Sequence, residues 1–296
     1  MKKILLLLLA IVLLFPCICS CKTSSNAEPY TVYEIASEDY ISNANHSSEV
    51  KLDYGYSEKF KLIKSKTVTV GNTKCDVKYT ETETGYWYNN DIDYYIGTDN
   101  EGHDVKIGIN TKTGDIDRYF LISEESEAFF DLTEKGRDEC LEIAKEYLSN
   151  YVDDVENYKI TFEKFNKGKE IPSKYFFVFS RYVEELETFD RARIGVNIYG
   201  VICEHRFDCL GELKDAKVPN QATLDELDVK VTEKLDEIYS TVKDICTVEY
   251  DEINAVFVRL SNGKYAIEYE VTVKLTPFDT NTKMPYETPK FIVYLD

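Results

Sequence analysis

The chain switches between two hydrophobic periods, and the switches divide it into segments. Residues 61–70 and 75–82 alternate apolar and polar positions on either side of Gly71-Asn72, a compact hairpin signal. Val105, Ile107 and Ile109 alternate with Asp104, Lys106 and Gly108, which predicts a strand with one buried face. The run Asn110-Thr111-Lys112-Thr113-Gly114-Asp115 then turns the chain into a strand over 116–121. Next the period lengthens. Cys140, Ile143, Ala144, Tyr147, Leu148 and Tyr151 fall at helical spacing behind Asp131-Leu132-Thr133-Glu134, a capping-box candidate. Strand-like runs follow at 158–165, 175–183, 194–199 and 201–207, the last two joined at Tyr199-Gly200.

Residues 211–222 hold Gly211, Pro219 and Asn220 and read as a linker, after which the same grammar returns. Thr223-Leu224-Asp225-Glu226 is a second capping box, and Leu224, Leu227, Val231, Leu235, Ile238, Val242 and Ile245 make a second helical stripe. Strands are predicted over 247–250, 255–260, 264–275 and 291–295. In the third of these Tyr265, Ile267, Tyr269, Val271, Val273 and Leu275 share one face. The two helix-then-strand passages are of similar length, which suggests an internal repeat. The expected fold is α+β, with tandem helix-on-antiparallel-sheet repeats. A first β-rich unit would span 57–130, and helix-plus-sheet units would span 131–210 and 223–296.

The N-terminus follows another rule. Lys2 and Lys3 precede an unbroken apolar run over 4–15, shorter than the ~20 residues a membrane-spanning helix needs. This is the pattern of a signal peptide. Its end, Ile18-Cys19-Ser20-Cys21, resembles the lipobox of bacterial lipoproteins. That resemblance implies a signal peptide over 1–20, a diacylglyceryl group on Cys21 and residence on the extracytoplasmic face of the cell membrane. Cys17 follows Pro16 and Cys19 follows Ile18, neither a small residue, so both are poorer acceptors. The polar stretch over 21–56 then serves as a tether.

Charge narrows the partners. The full chain has 35 Lys and Arg against 54 Asp and Glu, net −19, and loss of Lys2 and Lys3 makes it two units more negative. Such a surface repels phosphate backbones and argues against nucleic acid. Beyond Cys21 the cysteines are Cys75, Cys140, Cys203, Cys209 and Cys246, an odd number that excludes a complete disulfide framework. Cys75, Cys140 and Cys246 read as small core hydrophobes. Cys203 and Cys209 could bridge only if a strand bends between them.

The segments Val105-Lys106-Ile107-Gly108-Ile109-Asn110-Thr111-Lys112-Thr113-Gly114-Asp115-Ile116, then Leu132-Thr133-Glu134 and Cys140-Leu141-Glu142-Ile143-Ala144-Lys145-Glu146-Tyr147-Leu148, resemble PepSY-type domains of bacterial secreted and membrane-linked proteins. The first looks like that family's terminal strand, TG turn and strand, and the others like the start of the next repeat's helix. The likeness is carried by 104–165, and Tyr199-Gly200 departs from it where the second unit should have its TG turn. It implies a helix packed on an antiparallel sheet, no catalytic residues, and a role in protein interaction that includes restraint of peptidases. It transfers no site residue.

Candidate chemistry is sparse. The histidines are His46, His103 and His205, and no HExxH, GxSxG or phosphate-loop pattern is present. Cys203, His205 and Cys209 lack a fourth ligand at any zinc spacing, so neither metal nor cofactor is expected. Asn89, Asn90, Asp91, Asp93, Asp99, Asn100 and Glu101 crowd one window without EF-hand spacing and read as a solvated turn. Tyr86, Trp87, Tyr88, Tyr94 and Tyr95 lie there too and are the candidate ligand-binding residues. The expected function is therefore a non-enzymatic, lipid-anchored surface protein that binds a protein or peptide. The alternative is a glycan- or small-ligand-binding lipoprotein using those aromatics.

Overall fold

The computed structural model describes residues 30–35, 42–47, 49–50, 62–85, 90–122, 133–169, 171–260, 262–279 and 286–295. Cys21, Asp131, Leu132, Tyr86, Trp87, Tyr88 and Asn89 lie outside them, as do the residues expected to form the signal peptide and most of those expected to form the tether.

Among the described residues thirteen strands join one sheet. They are β1 (Val32–Ile35), β2 (Ser65–Val70), β3 (Thr73–Glu83), β4 (Ile92–Asp99), β5 (Asp104–Asn110), β6 (Ile116–Leu121), β7 (Tyr158–Asn166), β8 (Lys174–Val183), β9 (Leu186–Asn197), β10 (Ile202–Asp208), β11 (Cys246–Arg259), β12 (Tyr265–Pro277) and β13 (Lys290–Tyr294). The order is β1-β13-β12-β11-β9-β10-β6-β5-β4-β3-β2, with β8 on β9 and β7 outside β8. These strand pairings are antiparallel except β9 with β11, a parallel contact at Val256↔Glu187 and Phe257↔Thr188. Two α-helices accompany the sheet, α1 (Arg137–Leu148) and α2 (Gln221–Ile238).

This corrects the expected tandem helix-on-sheet repeats: the structure is one large mixed sheet with two helices. The reason lies in β9. Its first half, Leu186-Glu187-Thr188-Phe189-Asp190, is too polar to read as strand, yet Thr188 and Asp190 are wholly buried. Burial is tolerated because each polar group has a partner. Asp190 accepts from Tyr158 Oη at 2.6 Å and Arg181 Nε at 2.9 Å, and Thr188 Oγ1 donates to the Arg181 carbonyl at 3.1 Å. Arg181 also makes a bidentate pair with Asp154, at 2.6 and 2.7 Å. So extended, β9 reaches β11 and carries sheet pairing across the 211–222 segment. Likewise the strands expected at 247–250 and 255–260 are one continuous β11.

Both helices form where the long period predicts, with different caps. α1 starts after Gly136, whose N–H donates to Glu139 Oε2 at 3.1 Å. α2 starts after Asn220, whose Oδ1 accepts from the Thr223 N–H at 3.1 Å. Helix α1 buries Cys140, Leu141, Ala144 and Leu148 on Phe177, Phe179, Ile194 and Val196 of the sheet. Helix α2 buries Leu227, Val231, Leu235 and Ile238, whereas Ile245, expected in the same stripe, is exposed beyond the helix. Val105, Ile107 and Ile109 of the PepSY-like motif are buried on β5, facing a core that includes Val77, Tyr95 and Leu121.

Candidate functional site

The helix covers only part of its sheet face. Beyond the end of α1 lies a cleft of about 1110 Å³ between the β2–β3 turn, strands β6 and β10, and the helix terminus. Period-two alternation puts Asp117, Tyr119 and Leu121 of β6 and Phe207 of β10 on its wall, while Ile116 and Ile202 join them at the strand starts, Ile202 ahead of a bulge.

Its aromatic wall is held by a chain of hydrogen bonds. His205 is fully buried, stacked on Phe207 with centroids 4.2 Å apart and planes 4° apart. Burial holds its imidazolium form down, to about 3, so the ring is neutral. A carbonyl can only accept, so Nε2–H donates to the Ile116 carbonyl at 3.2 Å, and Nδ1 accepts from Tyr147 Oη at 2.7 Å. Tyr147 accepts in turn from Tyr151 Oη at 2.9 Å, and Tyr151 accepts from the Gly71 N–H. Both ring nitrogens are thus committed, and the imidazole positions two tyrosines instead of offering a base or a metal ligand.

The rim is acidic. Asp99, Glu101, Asp115 and Asp117 line the opening, and His103 is the one basic side chain among its lining residues. Asp117 is pushed up to about 7, chiefly by burial and further by Asp115 and Asp208, against the Asn110 amide and Arg118, which favour its charged form. Its Oδ2 accepts from Asn110 Nδ2 at 2.8 Å. For Asp99 burial works upward but is outweighed by the His103 and Glu101 amides and the His103 ring at 3.0 Å, which hold it below its ordinary value. A carboxylate poised near neutrality on a cleft wall is a functional-site signal that the sequence did not carry.

Of the candidate ligand-binding aromatics, the described Tyr94 and Tyr95 do not line the cleft. Tyr95 is 1% exposed, in the core with Val77 and Ile107, and Tyr94 is 7% exposed on the opposite face beneath Lys106 Nζ, 4.1 Å from its ring. Asp91 lies just before strand β4, Asp93 within it and Asp99 at its end, whereas Asn100 and Glu101 stand in the exposed turn expected there. Asp91 accepts from the Gly85 N–H at 2.9 Å and Asp93 from Thr82 Oγ1 at 2.6 Å. Cys203 lies within β10 and Cys209 just beyond its end, and both are free thiols. His46, assigned to the tether, sits between two buried carboxylates. Its Nδ1 is 2.6 Å from Glu34 and its Nε2 3.3 Å from Glu287, which also accepts from Tyr239 Oη at 2.8 Å.

No family model matches the chain. No curated protein matches it. Among solved structures, the Bacillus megaterium YpeB C-terminal domain is similar over 74% of this chain and 90% of its own, at 12% identity and a TM-score of 0.37. An uncharacterized protein from Eubacterium rectale is similar over 77% of this chain and 72% of its own, at 8% identity and a TM-score of 0.31.

Proposed function

We propose that this chain is a non-enzymatic binding module, tethered to the extracytoplasmic membrane face through Cys21, that holds a basic segment of a protein or peptide in the cleft. The observation that carries it is the lining: four carboxylates against one histidine, over a wall of Tyr119, Tyr147 and Tyr151. A lysine or arginine entering there meets a cluster of acids that the one histidine only partly offsets, and ring faces suited to cations. At about 4 Å and the effective dielectric of a protein surface, each carboxylate–cation contact is worth up to ~4 kcal/mol before desolvation. The PepSY-like resemblance favours a peptidase as partner, restrained by such a contact.

The test is fluorescence anisotropy of a labelled Lys-rich peptide, with a neutral peptide and an oligosaccharide as comparators. Binding of the basic peptide that weakens on Glu101→Gln with Asp115→Asn, in a protein with an unchanged melting temperature, is the expected result. Equal binding of basic and neutral peptides would overturn the charge reading, and selective retention of oligosaccharide would replace it with a glycan site.

A further inference from the structure

Behind the cleft, the other face of strands β6, β10 and β9 carries arginines. Strand register sets Arg193 of β9 across from Arg206 of β10, and Arg206 across from Arg118 of β6, so three guanidinium side chains form a row over adjacent strands. Like charges placed directly opposite one another destabilise a sheet. The chain has only seven arginines and a net charge of −19, so the row is not a by-product of a basic composition.

Two of the three are built for capture. Arg193 lies over the ring of Phe176 at 4.6 Å and Arg206 over Phe120 at 5.1 Å, which fixes each planar group while leaving its edge outward. They flank one internal carboxylate: Glu204 Oε1 accepts from Arg206 Nε at 3.0 Å and lies 3.4 Å from Arg193 Nε, which is buried and makes no hydrogen bond among the described residues. Their terminal Nη atoms hydrogen-bond to no described residue, and the side chains are 39% and 46% exposed. Arg118 is committed instead, to Asp208 at 2.6 Å. Past Arg193 the row continues through Val178 to Phe162, which is 55% exposed.

We infer that Arg193 and Arg206 form a carboxylate-binding clamp, and that this face docks an acidic peptide segment carrying an apolar residue beside its acids. Glu204 already supplies a carboxylate between the two Nε atoms, which identifies the anion this geometry accepts. The outward Nη pairs offer a second carboxylate the bidentate fork. Phe162 provides the adjoining apolar contact. This site is independent of the cleft.

The experiment is anisotropy of a labelled Glu- and Leu-containing peptide against the soluble chain at about 0.1 M salt, where screening limits the overall repulsion to about 10 Å. Wild-type binding should weaken about tenfold on Arg193→Gln or Arg206→Gln, and further in the double variant. The double variant relieves facing like charges but also leaves Glu204, 8% exposed, without its cations, so melting temperatures are read beside binding for every variant. Arg193→Lys with Arg206→Lys keeps the charge but not the fork and should recover little binding. Absence of wild-type binding, or binding indifferent to these variants, would overturn the proposal. So would binding of inorganic phosphate or phosphatidylglycerol vesicles through the same pair without the peptide. Loss of Lys-rich peptide binding through Glu101 and Asp115 would leave this result untouched.

Discussion

Asp117 gives the sharpest link between the cleft and a measurable quantity. Its carboxyl is held up at about 7 from an ordinary 3.8, mainly because it is buried. Between those values the folded protein holds a proton that the unfolded chain has released. Stability therefore falls as pH rises from about 4 through 7, the reverse of the usual aspartate. Three units at ~1.36 kcal/mol each set a ceiling of ~4 kcal/mol, and water reaching the group through the open cleft reduces the expected effect to ~2 kcal/mol. Asp117→Asn removes the charge and keeps an oxygen to accept from Asn110 Nδ2. At about 2–4 °C per kcal/mol for a chain of this size, D117N should melt ~4–8 °C higher than wild type at pH 8 and within a degree or two of it at pH 5. Circular-dichroism melts at the two pH values decide it. A gain of the same size at both, or a loss at pH 8, would refute burial as the cause. The same group couples binding to protons. A cation seated beside Asp117 favours the ionised form, so Lys-rich peptide should bind more tightly at pH 8 than at pH 5 and release a proton near pH 6–7, visible as a buffer-dependent heat.

Two further outcomes follow from packing and charge. His46→Ala leaves Glu34 and Glu287, 0% and 3% exposed, without the imidazole between them. It should cost about 3 kcal/mol and open the 42–47 segment to protease, read by thermal melts and limited proteolysis. Gly97→Ala would drive its Cβ into the Asp76 carbonyl of the neighbouring strand and should cost about 3 kcal/mol by overpacking. Gly71→Ala, where φ is +57° and space is open, should cost only the ~1–2 kcal/mol of a left-handed alanine; equal losses at both would contradict the steric account.

What the sequence made legible is what repeats. The period-two run over 265–275 is β12, with Ile267, Tyr269, Val271 and Val273 wholly buried, and the 3.6-period stripes are α1 and α2. The unit boundaries, by contrast, depended on where a strand ends, and a polar strand does not announce itself. Glu187, Thr188 and Asp190 look like a turn until Arg181, Tyr158 and Asp154 are brought up to pair the charges from distant positions. Strand β4 was hidden in the same way, because Asp93 suggested a solvated turn while its partner Thr82, on the neighbouring strand, was out of sequence view.

The site was illegible for a different reason, and the reason ties its two faces together. On β6 the sequence Asp117-Arg118-Tyr119-Phe120-Leu121 is a mixture of charges and rings, and Glu204-His205-Arg206-Phe207 on β10 is another. Neither looks amphipathic. Successive side chains point to opposite sides of a sheet, so each string separates into two surfaces: Asp117, Tyr119, His205 and Phe207 towards the cleft, Arg118, Phe120, Glu204 and Arg206 towards the clamp. The pairs Tyr119↔His205 and Arg118↔Arg206 fix that separation across the strands. A slip of one residue would put arginines into the acidic cleft and acids onto the clamp. The buried bond from His205 to the Ile116 carbonyl of β6 opposes such a slip, since shifting the strand leaves a fully enclosed imidazole without its acceptor. The buried imidazole is therefore best understood as the register pin that keeps the acidic cleft and the arginine row on opposite sides of one sheet.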